Sequence, residues 1–376
     1  MSISNIPDPV KFILWAKAAG RCQYEGCPKI LYLEDFTKAE FNQAYTAHII
    51  ADVPTGPRGD AVLSKKLKKD ISNLMLLCDA HHRLIDKVDI AGHPVERLCE
   101  MKQRHEKRME LLTAIQESKR SHVLMYGANI GKHETPLTKS EAHLAMIPER
   151  YPAEANPLEL GMKASSLEDR NEIFWKVEEE HLQTRFQQRV SPLKGTHEVQ
   201  HFSVFAMAPQ PLLIRLGTLL SDLYPADVYQ RHREPATWKW QDKADVEDFE
   251  LIEPTDKSGI PALVFALSAT INDDRITTAL ENKASIWKVM VSKPGNNFLR
   301  KKDLLEKFRM RTRHLLNEIK AHHGEYANIH VFPAMPVSTA IEFGRVWMPK
   351  ADLPLIIYDQ NSGTGGFTKA IEIKNK

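Results

Sequence analysis

The sequence is poor in the features that mark several broad classes of protein. It has four cysteines in 376 residues, too few for the disulfide framework that braces small secreted domains. No apolar run approaches the ~20 residues that a membrane-spanning helix needs. The most apolar early stretch, Phe12 to Ala19, is short and carries Lys17, unlike the apolar segment of a secretory signal. Net charge is almost absent. The 51 Lys and Arg against 49 Asp and Glu leave +2, so any nucleic-acid-binding surface has to be a local patch. A Gly-x-x-x-x-Gly-Lys-Ser/Thr phosphate loop and a Gly-x-Ser-x-Gly elbow are both missing. What remains, 42% hydrophobic and 27% charged, is the composition of a folded soluble protein. The cytoplasm is the expected compartment, and the length suits two or three domains of ~100–200 residues.

The cysteines that are present cluster early. Asp8 to Ala19 reads as a helix, with Asp8 as N-cap, Pro9 at the first helical position and Gly20 at the stop. Cys22-Gln-Tyr-Glu-Gly-Cys27 follows as a tight turn, then an extended stretch over 45–53 and a basic loop. Asn73 to Cys78 is a short apolar segment entering a histidine-rich helix. Pro94 to about Arg120 reads as one long charged helix, His122 to Tyr126 as a strand, and Pro148 to Pro157 as a loop or linker. Cys22, Cys27, Cys78 and His81 are spaced as C-x4-C and C-x2-H, two knuckles that together supply the four ligands of a structural zinc. Such an ion would hold together a domain with few apolar residues of its own. The alternative is buried free cysteines beside an incidental histidine. Cys99 lies outside the pattern and suits helix packing.

A second set lies among these ligands: His48, Asn73, His82 and Asp86. His82 and Asp86, four apart, share a helical face and can clamp a divalent cation of the Mg²⁺ type beside a phosphodiester. Neutral His48 can deprotonate water, and Asn73 can fix its imidazole through a side-chain hydrogen bond. Taken singly, each of these residues has an ordinary structural use. Arg58, Lys65, Lys66, Lys68 and Lys69 flank the proposed site and suit a polyanion through sequence-independent phosphate contacts. A merely solvated basic loop is the competing reading. Nothing reads base edges, so cleavage without sequence preference is expected.

The second half alternates apolar strands with helices. Strands are expected at His201–Met207, Ala262–Ala269, Ile286–Ser292, Ile329–Phe332 and Leu355–Tyr358, and helices at about 211–223 and 301–322. This is the pattern of βαβ units and a mostly parallel sheet. Val204-Phe-Ala-Met-Ala-Pro209 leads to Ile214 and Gly217. Val331-Phe-Pro-Ala-Met-Pro336 leads to Ile341 and Gly344 at the same offsets. Farther on, Pro225-Ala-Asp227 with Tyr229-Gln230 parallels Pro349-Lys-Ala-Asp352 with Tyr358-Asp-Gln360. Chance similarity of two strand–helix units is the competing reading; a duplication would give two Rossmann-like halves related by a pseudo-two-fold axis, with ligand-binding loops beyond the carboxyl ends of strands. Arg231, His232, Arg233, Trp238, Lys239 and Trp240 interleave cations with aromatics, a mixture that suits a nucleotide, although Trp and Arg more often serve as packing and surface residues. By loop position and composition the candidate ligand contacts are Pro209, Gln210, Arg231, Lys239, Trp240, Pro336 and Ser338. The glycines Gly363, Gly365 and Gly366 read as a turn rather than a dinucleotide site.

Two resemblances follow from these residues. The order Cys22…Cys27…His48…Asn73…Cys78-Asp-Ala-His81-His82 resembles the HNH endonucleases, also called ββα-metal nucleases, over roughly residues 15–90. The stretch Asn73-Leu-Met-Leu-Leu-Cys-Asp-Ala-His-His82-Arg-Leu-Ile-Asp86 is its most specific part. The resemblance implies that His48 is the general base, Asn73 the middle residue and His82 a ligand of the catalytic metal. One position departs: many such enzymes carry a metal-binding Asp or His immediately before the base, and here that residue is Ala47. Asp86 is expected to compensate, since related nucleases have a second metal-binding His at that offset; Asp52 and Asp60 are the other candidates.

From about residue 120 to the C-terminus the chain resembles the SAVED domains of bacterial antiphage HNH–SAVED effectors, which act in cyclic-oligonucleotide-based signalling (CBASS). The stretch Val331-Phe-Pro-Ala-Met-Pro-Val-Ser-Thr-Ala-Ile-Glu-Phe-Gly-Arg345, Met348-Pro-Lys350 and Ile357-Tyr358-Asp359 carry that resemblance. It implies an α+β nuclease domain over 1–112 and a connector over 113–165. An α/β SAVED domain of two CARF/Rossmann-like halves then covers 166–376, with 122 as its earliest start. It further implies binding of a cyclic di- or trinucleotide, self-association to a dimer or tetramer, and cleavage of double-stranded DNA. Two rivals remain open: a non-catalytic zinc-dependent DNA-binding regulator with a nucleotide sensor, and a nucleotide-processing enzyme in the second half.

Overall fold

The computed structural model describes residues 5–133, 137–162, 165, 167–195, 199–241, 248–361 and 365–375. The chain divides into two compact units, Met1–Gln116 and Glu117–Lys376.

The first unit is built on a ββα arrangement. Helix α1 (Asp8–Ala18) ends where Ala19 and Gly20 turn into the left-handed region, with φ of 52° and 63°. Pro7, not Asp8, is its N-cap residue, and Asp8 pairs with Lys11 instead. Strands β1 (Tyr45–His48) and β2 (Leu74–Leu77) pair antiparallel, Tyr45 opposite Leu77 and His48 opposite Leu74. All four β2 residues are buried, because α1 covers the ribbon. Helix α2 (Leu63–Leu67) lies in the connection. Helix α3 (Asp79–Arg83) runs into a π-helical turn, Leu84–Val88, and helix α4 (Val95–Thr113) packs on α1. The unit's core is small: Leu14, Ala18, Cys22, Leu31, Ala47, β2, Ile85, Leu98 and Met101. Helix α4 stops at Thr113, short of the expected Arg120; a 3₁₀ turn, Glu117–Lys119, follows, and Arg120 opens a strand that is central to the second unit.

That strand, β3 (Arg120–Gly127), is paralleled by β4 (Tyr151–Pro152) and β5 (Leu158–Glu159) on one side and by β6 (Phe202–Met207) and then β7 (Ala226–Val228) on the other. The stretch expected as a loop or linker, Pro148 to Pro157, carries the two-residue strand β4, and the second compact unit begins at Glu117, near the expected earliest start of 122. Helices α5 (Lys139–Met146), α6 (Glu172–Arg189) and α7 (Gln210–Leu220) belong to this half. The other half has β8 (Glu250–Ile252), β9 (Ile260–Ala266), β10 (Ala284–Met290), β11 (Ile329–Ala334), β12 (Leu355–Asn361) and β13 (Gly366–Ile373) in the order β13-β12-β11-β9-β10-β8. Its four central strands are parallel and its two edges antiparallel. Helices α8 (Asp273–Ala279), α9 (Lys302–His323) and α10 (Val337–Val346) complete it. The glycine-rich turn between β12 and β13 falls mostly at 362–364, outside the described residues.

The repeat read in the sequence is realised as β6-α7-β7 and β11-α10-β12, with α7 packed on α10. A core shared by both sheets fills the space between them, with Phe202, Val204, Leu263, Phe265, Phe308, Val331 and Phe343 among its members. Among the described residues no helix is long and apolar enough to cross a membrane.

Candidate functional site

In the first unit, the turn before β2's partner strand and the start of α3 bring the zinc-type ligands together. The ligand atoms of Cys22, Cys27, Cys78 and His81 all lie within 4.8 Å of one another. His81 Nδ1 is 3.6 Å from Cys22 Sγ and 3.2 Å from Cys78 Sγ. Without a cation, burial pushes the Cys22 thiol up to about 12, with the neighbouring sulfurs of Cys78 and Cys27 adding to it. A divalent ion reverses that penalty, because thiolates ligate and thiols do not. Three sulfurs and one imidazole nitrogen at these separations fit a tetrahedral zinc. Tyr24 stacks on His81 with ring centres 4.0 Å apart and bonds through its hydroxyl to His93 Nε2 at 2.9 Å.

His48 closes β1 and is buried. Its Nε2 is 2.9 Å from the Lys68 carbonyl oxygen. A carbonyl only accepts, so Nε2 carries a proton, and in the neutral ring Nδ1 is the nitrogen with the free lone pair. Asn73 does not bond to the imidazole as expected. Its Oδ1 accepts from Ile50 N at 2.8 Å, and its Nδ2 donates to the carbonyls of Ile50 (2.8 Å) and Leu67 (3.3 Å). Asn73 thus ties the segment after His48 to the end of α2, and so fixes the carbonyl that orients His48.

His82 stacks on Tyr45 with ring centres 4.7 Å apart. Its Nε2 is 3.3 Å from Asp86 Oδ2. The other Asp86 oxygen accepts from Arg58 Nη2 at 2.6 Å. Burial acts to raise the Asp86 carboxyl, but the bonds from His82 and Arg58 outweigh it and hold the group below its ordinary range. Arg58 also donates to the carbonyls of Ile49 and Ile85, each at 2.7 Å. With its side chain 6% exposed, Arg58 does not belong to the solvent-facing basic surface where its charge had placed it. Lys65, Lys66, Lys68 and Lys69 are exposed. The described residues hold no second cluster of three metal donors besides the Cys–His set.

In the second unit, a cavity of about 390 Å³ opens beyond the carboxyl ends of β6 and β11. Its walls include Met207, Gln230, Arg231, His232, Arg233, Ser268, Asn296 and Pro336. Of the residues expected to contact ligand, Arg231 and Pro336 line it. Gln210 and Ser338 serve instead as braces between the halves: Met335 N donates to Gln210 Oε1 at 3.1 Å, and Ser338 donates to Gln230 Oε1 through N (3.2 Å) and Oγ (2.8 Å). Pro209 is the N-cap residue of α7, while Lys239 and Trp240 lie outside the cavity wall. His232 is buried against the Trp240 ring edge, and its Nε2 has no hydrogen-bond partner among the described residues. Burial, with Arg300 and Arg231 adding to it, pushes this imidazole down to about 4. Gln230 entered the sequence reading only as part of the repeat, and Ser268 and Asn296 not at all, since single polar residues between apolar strands carry no periodic signal. A larger cavity, about 840 Å³, lies at the opposite, amino ends of β9, β10 and β11, away from the end where open α/β sheets bind ligands.

The model of the SMODS-associated and fused to various effectors sensor domain (SAVED) matches residues 182–373. No curated protein is significantly similar to the chain. Among solved structures, it is similar to the Acinetobacter baumannii Cap4 SAVED/CARF-domain containing receptor with the cyclic trinucleotide 3'3'3'-cAAA. That match has 10% identity and a TM-score of 0.44, and covers 84% of this chain and 68% of that one. The same receptor with 2'3'3'-cAAA gives 12% identity and a TM-score of 0.41, with 83% and 61% covered. The Moraxella osloensis Cap4 SAVED/CARF-domain containing receptor gives 9% and 0.37, with 84% and 66% covered. The chain spans about three-fifths to two-thirds of the length of these receptors.

Proposed function

The chain belongs to the SAVED sensor-domain family, and from that premise we propose that it is a cyclic-oligonucleotide-activated, metal-dependent DNA endonuclease of antiphage defence. The observation that carries the catalytic half is the tautomer of His48: Nε2–H is committed to the Lys68 carbonyl, which leaves Nδ1 as a base within a ββα unit braced by a zinc-type cluster. In this reading His48 Nδ1 takes a proton from the attacking water, and the Lys68 carbonyl supports the imidazolium that forms. Asn73 keeps that carbonyl in place. A divalent cation at His82, its shell completed by water and phosphate oxygens, would neutralise charge on the leaving oxygen. The exposed lysines on and after α2 hold the duplex by its phosphates.

The sensor half takes its ligand in the cavity beyond β6 and β11. Arg231 and Arg233 meet phosphates there, and the backbone N–H groups at the starts of α7 and α10 add positive potential. Ligand shifts an assembly equilibrium only by binding the assembled state better than the free one. A dimer or tetramer formed in this way sets two nuclease units on opposite strands.

The test is plasmid degradation with Mg²⁺ across a panel of cyclic di- and trinucleotides, with sedimentation run in parallel. The expected result is degradation with one class of ligand, together with a rise in mass. His48→Ala is expected to abolish nicking and spare DNA affinity. The rival, a DNA-binding regulator without catalysis, draws support from the lack of a second three-donor metal cluster among the described residues. DNA binding by a parent protein that leaves the plasmid intact with every ligand would decide for it.

A further inference from the structure

A zinc ion accounts for Cys22, Cys27, Cys78 and His81, but not for the aromatic ring that lies against one of them. Tyr24 comes from the turn between the first two cysteines. Its ring is parallel to the His81 imidazole within 3°, with centres 4.0 Å apart. His81 is turned so that Nδ1 faces the sulfurs, 3.2 Å from Cys78 Sγ and 3.6 Å from Cys22 Sγ. Tyr24 therefore covers one face of a ligand ring. The phenol is itself held. Its hydroxyl is 2.9 Å from His93 Nε2, and His93 Nδ1 is 2.6 Å from the Asp89 carbonyl oxygen. A carbonyl only accepts, so Nδ1 carries a proton, and in the neutral ring Nε2 accepts from the Tyr24 hydroxyl. His93 is 2% exposed. The loop that carries it is tied down in turn. Gly92 N donates to Asp89 Oδ1 at 2.9 Å, and Arg97 donates to the Gly92 carbonyl at 2.6 Å and to Glu25 Oε1 at 2.5 Å. Glu25 is the chain neighbour of Tyr24, so Arg97 joins this loop to the cysteine turn a second time.

We propose that Tyr24 is a positioning residue of the zinc site, which holds the His81 ring in its ligating orientation and raises the affinity for the ion, with His93 as the anchor of Tyr24. An imidazole that coordinates a cation carries part of its charge, and the negative face of a phenol attracts such a ring. The stack is thus stronger with the ion in place. By reciprocity, whatever the ion adds to the stack, the stack returns to the ion's affinity. Partners of metal-binding histidines usually orient them by accepting the second ring N–H; here a ring face does that work. His81 lies in α3 beside His82, so the same brace sets the helix that carries His82. The inference rests on the zinc assignment and not on the nuclease reading, and its test needs no DNA.

The experiment uses the full chain loaded with Co²⁺ in place of zinc, whose visible d–d absorption reports the ligand geometry, and titrates the metal away with a chelator of known affinity. Tyr24→Leu is expected to shift and broaden the d–d bands and to weaken binding by about 10–100-fold, the usual range for a lost outer partner. Tyr24→Phe keeps the ring and loses the anchor. It should restore most of the spectrum and fall between Tyr24→Leu and the parent in affinity. His93→Leu should match Tyr24→Phe, and the two changes together should cost no more than either alone, because both break one bond. Unchanged bands and affinity in Tyr24→Leu would overturn the proposal, as would equal losses in Tyr24→Phe and Tyr24→Leu, since the ring face would then have no role. Additive losses in the double variant would remove His93 as the anchor. Should Tyr24→Leu fail to fold, Tyr24→Phe still decides, and parental affinity there would overturn the brace. A parent that takes up no metal would refute the zinc assignment and this proposal with it. A chain that binds metal as expected yet never cuts DNA would refute the nuclease reading alone.

Discussion

Gly217 of α7 and Gly344 of α10 face each other across the contact between the two halves of the second unit. A methyl group built on Gly217 would come within 2.9 Å of Gly344 Cα and collide with the Ile341 carbonyl; one built on Gly344 would collide with the Ile214 carbonyl. The relation is reciprocal, as a pseudo-two-fold axis through the pair requires, and it explains why isoleucine and glycine recur at matching offsets in the two copies. In an ordinary helix Gly→Ala gains up to ~1 kcal/mol of propensity. Here the added carbon meets backbone that cannot rotate away, and overpacking of this kind costs about 1–3 kcal/mol. Gly217→Ala and Gly344→Ala are therefore each expected to lower the melting temperature of the second unit by several degrees, measured by calorimetry. An unchanged or raised temperature would show that the helices are free to separate.

The repeat was readable because only glycine permits this approach, and the zinc-type set because only a few side chains ligate metal. The identities of His48 and Asn73 were readable, but their partners were not. Those partners are backbone groups of Ile50, Leu67 and Lys68, which any residue at those positions would offer. Arg58 was grouped with the lysines because charge says nothing about side-chain direction. Helix α6 went unnoticed because its apolar stripe of Phe174, Trp175, Leu182 and Phe186 is broken by Glu178 and outnumbered by exposed charge. The cavity walls come from several separated segments, and no local pattern announces that they meet.

Removal of zinc is expected to unfold the first unit and leave the second folded. The first unit's buried cluster is its own and small, and ion binding in comparable zinc peptides supplies ~10–16 kcal/mol of folding free energy. Metal analysis should find one zinc per chain. A strong chelator, or Cys78→Ser, should abolish one calorimetric transition and preserve the other. A chain with no bound zinc and both transitions intact would remove the metal from the account.

Glu178 sets a pH dependence with a definite sign. It is 1% exposed, and neither carboxylate oxygen has a hydrogen-bond partner among the described residues. Burial raises it from 4.5 to about 7. The folded state thus keeps a proton that the unfolded chain releases, so this contribution is fully present below pH 4.5 and is lost as pH rises through 7. A shift of that size is worth roughly 3 kcal/mol. His201 and His232, both pushed down to about 4 by burial, slope the opposite way between pH 4 and 6.5. Asp359, raised to about 7, slopes the same way as Glu178. The difference between Glu178→Gln and parent therefore isolates the glutamate. It should grow in favour of the variant from pH 5 to 8, and parallel melting curves across that range would contradict the reading.

Asn73→Ala is expected to harm both stability and chemistry. It leaves the buried Ile50 N–H without its partner, and each such loss costs about 1–3 kcal/mol. It also frees the end of α2, so the Lys68 carbonyl no longer selects one tautomer of His48. The expected outcome is a lower melting temperature of the first unit and a cleavage rate reduced by more than the unfolded fraction explains. Single-turnover kinetics below the melting transition would measure this. Loss of stability with full activity in the remaining folded protein would limit Asn73 to a structural role.

The four lysines and Arg58 have similar charge and opposite surroundings, which predicts opposite phenotypes. Lys65, Lys66, Lys68 and Lys69 are exposed, and the one backbone group among them that matters to His48, the Lys68 carbonyl, survives a side-chain change. Replacing all four with alanine should leave the melting temperature unchanged and weaken DNA binding equally for all sequences. Each lost phosphate contact should flatten the dependence of log affinity on log salt by about 0.9, so the full set should remove roughly 3–4 from the slope. Arg58→Ala should do the reverse. It breaks three partly buried bonds and frees Asp86, so it should destabilise the first unit and leave the salt slope of the folded fraction close to that of the parent. An Arg58 variant with a flattened slope and normal stability would return that residue to the basic surface proposed to hold DNA.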